Sequence, residues 1–161
     1  MKINHIGIVV KSIEEALPAY TQGLGLRLER LQEVPDQQVR IAFLPTAAGE
    51  IELVQPTEAS SGVARFLASR GEGIHHICLE VEDINATLYQ LASMGVELID
   101  REPRQGAIGR VAFVHPKSMH GVLIELLERP QPAAGHAAAE TPWGQAGAPP
   151  SPTRTASQER E

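Results

Sequence analysis

One cysteine, one tryptophan and the lack of any long apolar run set the first limits on this 161-residue sequence. With Cys78 alone no internal disulfide can form, and its neighbours Ile77 and Leu79 mark it as a small residue in a strand. A catalytic thiol would need a base at hand, and the nearest histidine is His76, two residues away. No segment reaches the roughly 18 apolar residues of a membrane span. Met1 to His5 lacks the apolar run and small-residue cleavage site of a signal peptide. Lys and Arg number 14 against 20 Asp and Glu, for a formal net charge of −6, and no basic stripe could track phosphates. These absences predict a cytoplasmic protein with neither membrane nor nucleic acid as a partner.

What remains is enough for one sizeable core, since 42% of the residues are apolar. The ordered domain is expected over residues 1–130. From Gln131 the sequence turns to Pro, Ala, Gly, Ser and Thr without apolar periodicity, so residues 131–161 read as a disordered tail.

Within the domain the sequence repeats itself. Ile3-Asn4-His5-Ile6 returns as Ile74-His75-His76-Ile77, an offset of 71. At the same offset Val10 meets Val81, Ile13 meets Ile84 and Leu17 meets Leu88. Further on, Arg40-Ile41-Ala42-Phe43-Leu44 parallels Arg110-Val111-Ala112-Phe113-Val114, and Ile51-Glu52-Leu53 parallels Ile124-Glu125-Leu126.

Each half reads as a strand, a helix and three strands. In the first, a strand over 2–10 leads to a helix opened by the capping box Ser12-Ile13-Glu14-Glu15 and closed near Gly23 and Gly25. Strands follow near 26–34, 38–45 and 50–55. The second half predicts a strand over 74–82, a helix over 84–94 and strands near 96–101, 109–115 and 121–128. The modules span about 2–56 and 74–129, joined by a linker over 57–73 with a short helix at Val63–Ser69. The class is α+β: two pseudosymmetric βαβββ modules forming a concave mixed sheet.

Side chains alternate faces along a strand, so His5 and Gly7 oppose Ile6 and Ile8, His76 and Cys78 oppose Ile77 and Leu79, and Glu52 and Glu125 oppose their aliphatic neighbours. A helix covers one face of each half, which leaves the four polar residues on the other. Gly7 and Cys78, small residues beside the histidines, would leave room there for a ligand. A lone strand histidine or glutamate is ordinarily a satisfied polar residue. The recurrence of one His and one Glu in both halves points instead to a shared site for a divalent ion such as Co²⁺, Mn²⁺, Ni²⁺ or Zn²⁺. The repeat aligns His75 with Asn4, selects His76 as the ligand, and gives His115, His120 and His136 no such support.

Paired modules of this order, with metal ligands on opening and closing strands, resemble the vicinal oxygen chelate superfamily. Asn4-His5-Ile6-Gly7-Ile8, Gly71-Glu72-Gly73-Ile74-His75-His76, His115-Pro116-Lys117-Ser118 and Gly121-Val122-Leu123-Ile124-Glu125-Leu126 are similar to the signatures of its methylmalonyl-CoA epimerase branch. The resemblance implies metal ligands at His5, His76 and Glu125, with Glu52 in a fourth position that is Gln in some members. It favours Co²⁺, an acyl-CoA substrate and a homodimer. Where some members carry a glutamate base, Ile41 stands here and cannot move a proton, so Glu52 and Glu125 are the catalytic candidates. Lys117 and Ser118 are candidates for substrate binding, with Arg104, Arg110 and Lys117 available for a basic rim toward CoA. The alternatives on the same fold are a glyoxalase-type lyase, an Fe(II) extradiol dioxygenase and a non-enzymatic small-molecule-binding protein. Only three Phe and two Tyr are present to build an aromatic-substrate pocket, and a fourth ligand would use up a coordination position a dioxygenase needs open.

Overall fold

Ser12 and Asp83 stand at equivalent places in the repeat, and each begins a helix in the same way. The Ser12 hydroxyl accepts from Glu15 N at 3.2 Å and the Asp83 carboxylate from Ala86 N at 2.9 Å, satisfying amide groups the first helical turn leaves free. In the computed structural model, which describes residues 1–106 and 108–130, these caps open α1 (Ile13–Pro18) and α3 (Ile84–Ser93). Pro18 has no N–H to continue the α-helical ladder, and the chain runs on as a wider π turn over Ala19–Gly23. The tail expected over residues 131–161 lies outside the described residues.

The strands are β1 (Lys2–Val9), β2 (Arg30–Val34), β3 (Val39–Thr46), β4 (Gly49–Pro56), β5 (Gly73–Glu80), β6 (Arg104–Gln105), β7 (Arg110–Val114) and β8 (Leu123–Glu128). They form one curled mixed sheet, a half-barrel, in the order β2-β3-β4-β1-β5-β8-β7-β6. At its centre β1 and β5 run antiparallel, and each has the closing strand of its own module beside it in parallel, β4 and β8. The halves are related by a twofold turn about the β1–β5 pair. Among the described residues no helix is long and apolar enough to cross a membrane.

Matched cores fill the convex side. Under α1, Ile13 packs with Val10, Ala42, Leu44 and Leu53; under α3, Ile84 and Leu88 pack with Val81, Ala112, Val114 and Leu126. The linker helix α2 (Gly62–Arg70) behaves differently. Its Val63, Phe66 and Leu67 pack on Val9, Val39, Ile41, Phe43 and Val54, which point to the concave side. One face per half was expected to be free of helix, and in the first half α2 covers part of it.

Three sequence expectations shift. Of residues 26–34 only Arg30–Val34 pairs as a strand, because Leu26 N bonds Tyr20 O and draws Leu26 and Leu28 onto α1. The strand expected over 96–101 reduces to a bridge between Leu98 and Val114. There Glu97 N donates to Ser118 Oγ at 2.9 Å and Phe113 N to Asp100 Oδ2 at 2.9 Å, so side chains take bonds a ladder would use. Finally β8 starts at Leu123, since His120 (φ 52°) and Gly121 (φ 94°) make a left-handed turn before it.

Leu53 and Leu126 are both buried, in clusters that share no residue. Leu53→Ala and Leu126→Ala should each cost about 2–5 kcal/mol in urea unfolding, and the double variant should lose the sum of the two.

Candidate functional site

The register of the central strands builds the site. In the β1–β5 pair His5 stands opposite Cys78 and Gly7 opposite His76. In the parallel pairs Gly7 lies beside Glu52 and Cys78 beside Glu125. His5 and Glu52 are 6% exposed and His76 8%, so all three are withdrawn from water on the concave face. The small residues next to the histidines serve something other than the expected ligand space. A Cβ on Gly7 would sit 2.2 Å from Cε1 of His76, so the missing side chain makes room for that ring. Cys78 is fully buried and packs with Val111 and Leu127.

His5 Nε2 is 3.0 Å from His76 Nε2 and 3.4 Å from Glu125 Oε2, and His76 Nε2 is 3.3 Å from the same oxygen. Donors about 2.1 Å from one divalent ion stand roughly 3.0–3.4 Å apart in octahedral or tetrahedral arrangements, so the trio fits such an ion as it stands. Imidazole nitrogen with carboxylate oxygen is also the donor chemistry that first-row divalent ions take. Glu52 is set differently. Its Oε1 lies 3.5 Å from Nδ1 of His5, the nitrogen turned away from the trio, although one carboxylate oxygen falls within 4.8 Å of ring nitrogens of both histidines.

The charges are distributed unevenly. Burial disfavours a charged His5 ring, but the bond to Glu125 and the nearby Glu52 outweigh it and raise its pKa. Burial likewise opposes ionisation of Glu125, and the two histidines overcome that and hold it below the usual carboxylate range. Burial pushes His76 down to about 4, with nearby Glu125 working against the shift and His5 and His75 adding to it. Burial pushes Glu52 up to about 7, with His5 working against the shift and Glu125 adding to it. An ion pair between His5 and Glu125 thus stands beside a neutral imidazole and a carboxyl that changes protonation readily.

These groups floor a cavity of about 150 Å³. Ile41, Val39, Phe43 and Val54 wall one side, with Val111, Phe113 and Leu127 on the other. Among the described residues, Glu52 and Glu125 are its only carboxylates and Arg30 its only Lys or Arg.

The glyoxalase/bleomycin resistance protein/dioxygenase superfamily model matches residues 4–114. The chain belongs to this superfamily. Within it, an ethylmalonyl-CoA/methylmalonyl-CoA epimerase of Cereibacter sphaeroides is 39% identical over 128 residues, covering 78% of this chain and 96% of that one. The crystal structure of methylmalonyl-CoA epimerase from Mycobacterium tuberculosis matches with a TM-score of 0.74 at 38% identity, over 81% of this chain and 89% of that one. A variant of the Streptomyces coelicolor methylmalonyl-CoA epimerase, in complex with 2-nitronate-propionyl-CoA, matches at a TM-score of 0.74 and 34% identity, over 81% and 99%.

Not every residue singled out by the sequence reaches this superfamily cavity. Lys117 and Ser118 lie in the turn over Pro116–Met119 and do not line it. Ser118 Oγ holds Glu97 N, and Lys117 Nζ, on a largely exposed side chain, is 3.9 Å from Glu97. Of the expected basic rim, Arg110 is bonded to Glu128 and Asn85, while Arg104 stacks 5.4 Å over Phe113. Arg30 was missed. It sits across β2–β3 from Phe43, with its guanidinium 3.6 Å over that ring, and the sequence hint was the two-residue alternation of Arg30, Gln32 and Val34 into the cavity. His75 was set aside as a neighbour, yet it too lines the cavity.

Gly7→Ala tests the tightness of the centre. The added methyl must displace the His76 ring, and a loss of about 1–3 kcal/mol in chemical unfolding is expected; a variant as stable as its parent would mean the ring has room to swing aside.

Proposed function

We propose that this chain epimerises methylmalonyl-CoA at the carbon between thioester and carboxylate, with a divalent ion, Co²⁺ in first place, held by His5, His76 and Glu125. The observation that carries the reading is the trio of donors 3.0–3.4 Å apart, next to a cavity whose carboxylates among the described residues are Glu52 and Glu125. Relatives and structural neighbours of the chain named methylmalonyl-CoA epimerase support it. When bound, the ion would act as a Lewis acid toward the negative charge that develops on the thioester oxygen.

The remaining work falls to side chains. One carboxylate takes the C2 proton, and a second proton returns to the opposite face of the planar carbon. Ile41, buried in the cavity wall, offers no proton acceptor, so removal of the C2 proton is assigned to ionised Glu52. Glu125, across the pseudo-twofold axis, is the partner that returns a proton to the other face and must carry one when the substrate is bound, which the negative charge of a bound substrate favours. The offset of Glu52 from the donor trio leaves its oxygens freer to act as a base than those of Glu125. Apolar walls exclude water, so the proton passes between substrate and enzyme. Arg30 supplies the permanent positive charge for an anionic substrate. The exposure of Lys117 favours contact with CoA phosphate over contact with the acyl carboxylate, and Ser118 shares that turn.

Proton NMR of methylmalonyl-CoA in D₂O, with chelator-stripped protein before and after Co²⁺, tests the assignment. Loss of the C2 proton signal should require the ion, and no exchange with any divalent ion in protein that still binds metal would sink the epimerase reading. Glu52→Gln should slow exchange by about 10²-fold or more while metal is retained; unchanged turnover would remove Glu52 from proton transfer. Arg30→Ala should raise KM about tenfold or more, with kcat largely kept, as expected for loss of a charge-assisted hydrogen bond.

A further inference from the structure

Two irregularities in the β1–β5 pairing fall on residues that are equivalent in the repeat. Between the pairs Ile3 with Leu79 and His5 with Cys78, β1 holds one residue more than β5, and that residue is Asn4. Between Gly7 with His76 and Ile8 with Ile74, the extra residue belongs to β5 and is His75. Such a bulge breaks the strict alternation of faces and re-aims a side chain. Asn4 therefore meets the ring of the residue that follows it, with Oδ1 3.0 Å from Nδ1 of His5. His75 meets His76 in the same way, Nδ1 to Nδ1 at 3.0 Å.

The orientation of the Asn4 amide is set from its other end. Its Nδ2 donates to Glu80 Oε2 at 3.1 Å, and Glu80 also receives Lys2 Nζ at 3.2 Å and Arg129 Nε at 3.1 Å. A carboxylate between two cations only accepts hydrogen bonds, so the amide NH₂ must face it and the amide oxygen must face His5. That oxygen also only accepts. The proton in the Asn4–His5 bond therefore belongs to Nδ1 of His5, and the neutral ring then carries its lone pair on Nε2. Nε2 is the nitrogen that faces His76 and Glu125.

We propose that Asn4, held by Glu80, is a positioning residue that fixes His5 in its Nδ1–H form and presents the Nε2 lone pair to a cation in the cavity. Only the last step rests on the metal reading given above, because the tautomer exists without metal. The arrangement belongs to the first half alone: the residue equivalent to Glu80 is Val9, so His75 has no matching carboxylate behind it.

The experiment is long-range ¹H–¹⁵N NMR of the full chain, labelled at histidine and stripped of metal, at an alkaline pH where the ring is neutral. The His5 signal is assigned by its loss in His5→Gln. Wild type should show His5 protonated at Nδ1. In Asn4→Ala that nitrogen keeps only Glu52 Oε1 at 3.5 Å while Nε2 has His76 at 3.0 Å and Glu125 at 3.4 Å, so the proton should move to Nε2 or the forms should mix. Asn4→Asp keeps an accepting oxygen toward His5 but faces the Glu80 carboxylate with another, so it should restore the wild-type pattern when combined with Glu80→Gln, whose amide can donate to it. Calorimetric Co²⁺ affinity should fall about 10–100-fold in Asn4→Ala, the usual effect of removing a partner behind a metal ligand, and recover in the double variant Asn4→Asp, Glu80→Gln. If Asn4→Ala does not fold, Glu80→Ala frees the amide to turn and should mix the His5 tautomers. An Nε2–H form of His5 in wild type, or a tautomer unmoved in the folded variants, overturns the proposal. A wild type with the Nδ1–H form that binds no divalent ion supports the orienting role and overturns the metal reading alone.

Discussion

The antiparallel contact between β1 and β5 governs this molecule. It joins the two halves, and its register puts a histidine of one opposite a small residue of the other, His5 against Cys78 and His76 against Gly7. The contact leaves no slack. With a Cβ on Gly7 only 2.2 Å from the His76 ring, even a methyl group would push the imidazole away from Glu125. A slip of one residue in either strand would send the histidines to the convex side, among the aliphatic residues under α1 and α3. Helices, outer strands and linker can be viewed as the means of holding this one pairing in register.

The resulting cluster is expensive for the fold. Removing ionisable groups from water costs several kcal/mol each before partners repay it, and well-packed apolar residues of similar size commonly do as well or better. His5, Glu52, His76 and Glu125 share a site where some charge must remain, and burial drives His76 down and Glu52 up as the fold sheds part of it. A centre maintained at such cost, floored in a cavity and repeated in both halves, is what function rather than stability explains.

Much of this could be read in the sequence, for definite reasons. The repeat marks both helices because their caps, Ser12 and Asp83, and their buried faces, Ile13 with Leu17 and Ile84 with Leu88, depend on local spacing. Strand alternation puts the two His and two Glu on one face because period two is a property of a single strand. What escaped depends on pairing between distant segments. The bulges at Asn4 and His75 exist only in the register of β1 against β5, so alternation along either strand misplaces both residues. The shortened pairing over 96–101 follows from Ser118 and Asp100 reaching backbone amides that a ladder would have used. The short helix of the linker was expected at Val63–Ser69, but nothing in its sequence said which side of the sheet α2 would cover.

That last asymmetry has a stereochemical meaning. A twofold pair of carboxylates is matched to a planar carbon that must be approached from above and below, since the two substrates of an epimerase differ in configuration at that carbon alone. A fully symmetric chamber would also accept the rest of the molecule in two opposed directions. Val63 and its neighbours on α2 fill the first half, and among the described residues the second half has no counterpart, so the described chamber has a head and a tail. The chemistry can then be even-handed while the binding is polar.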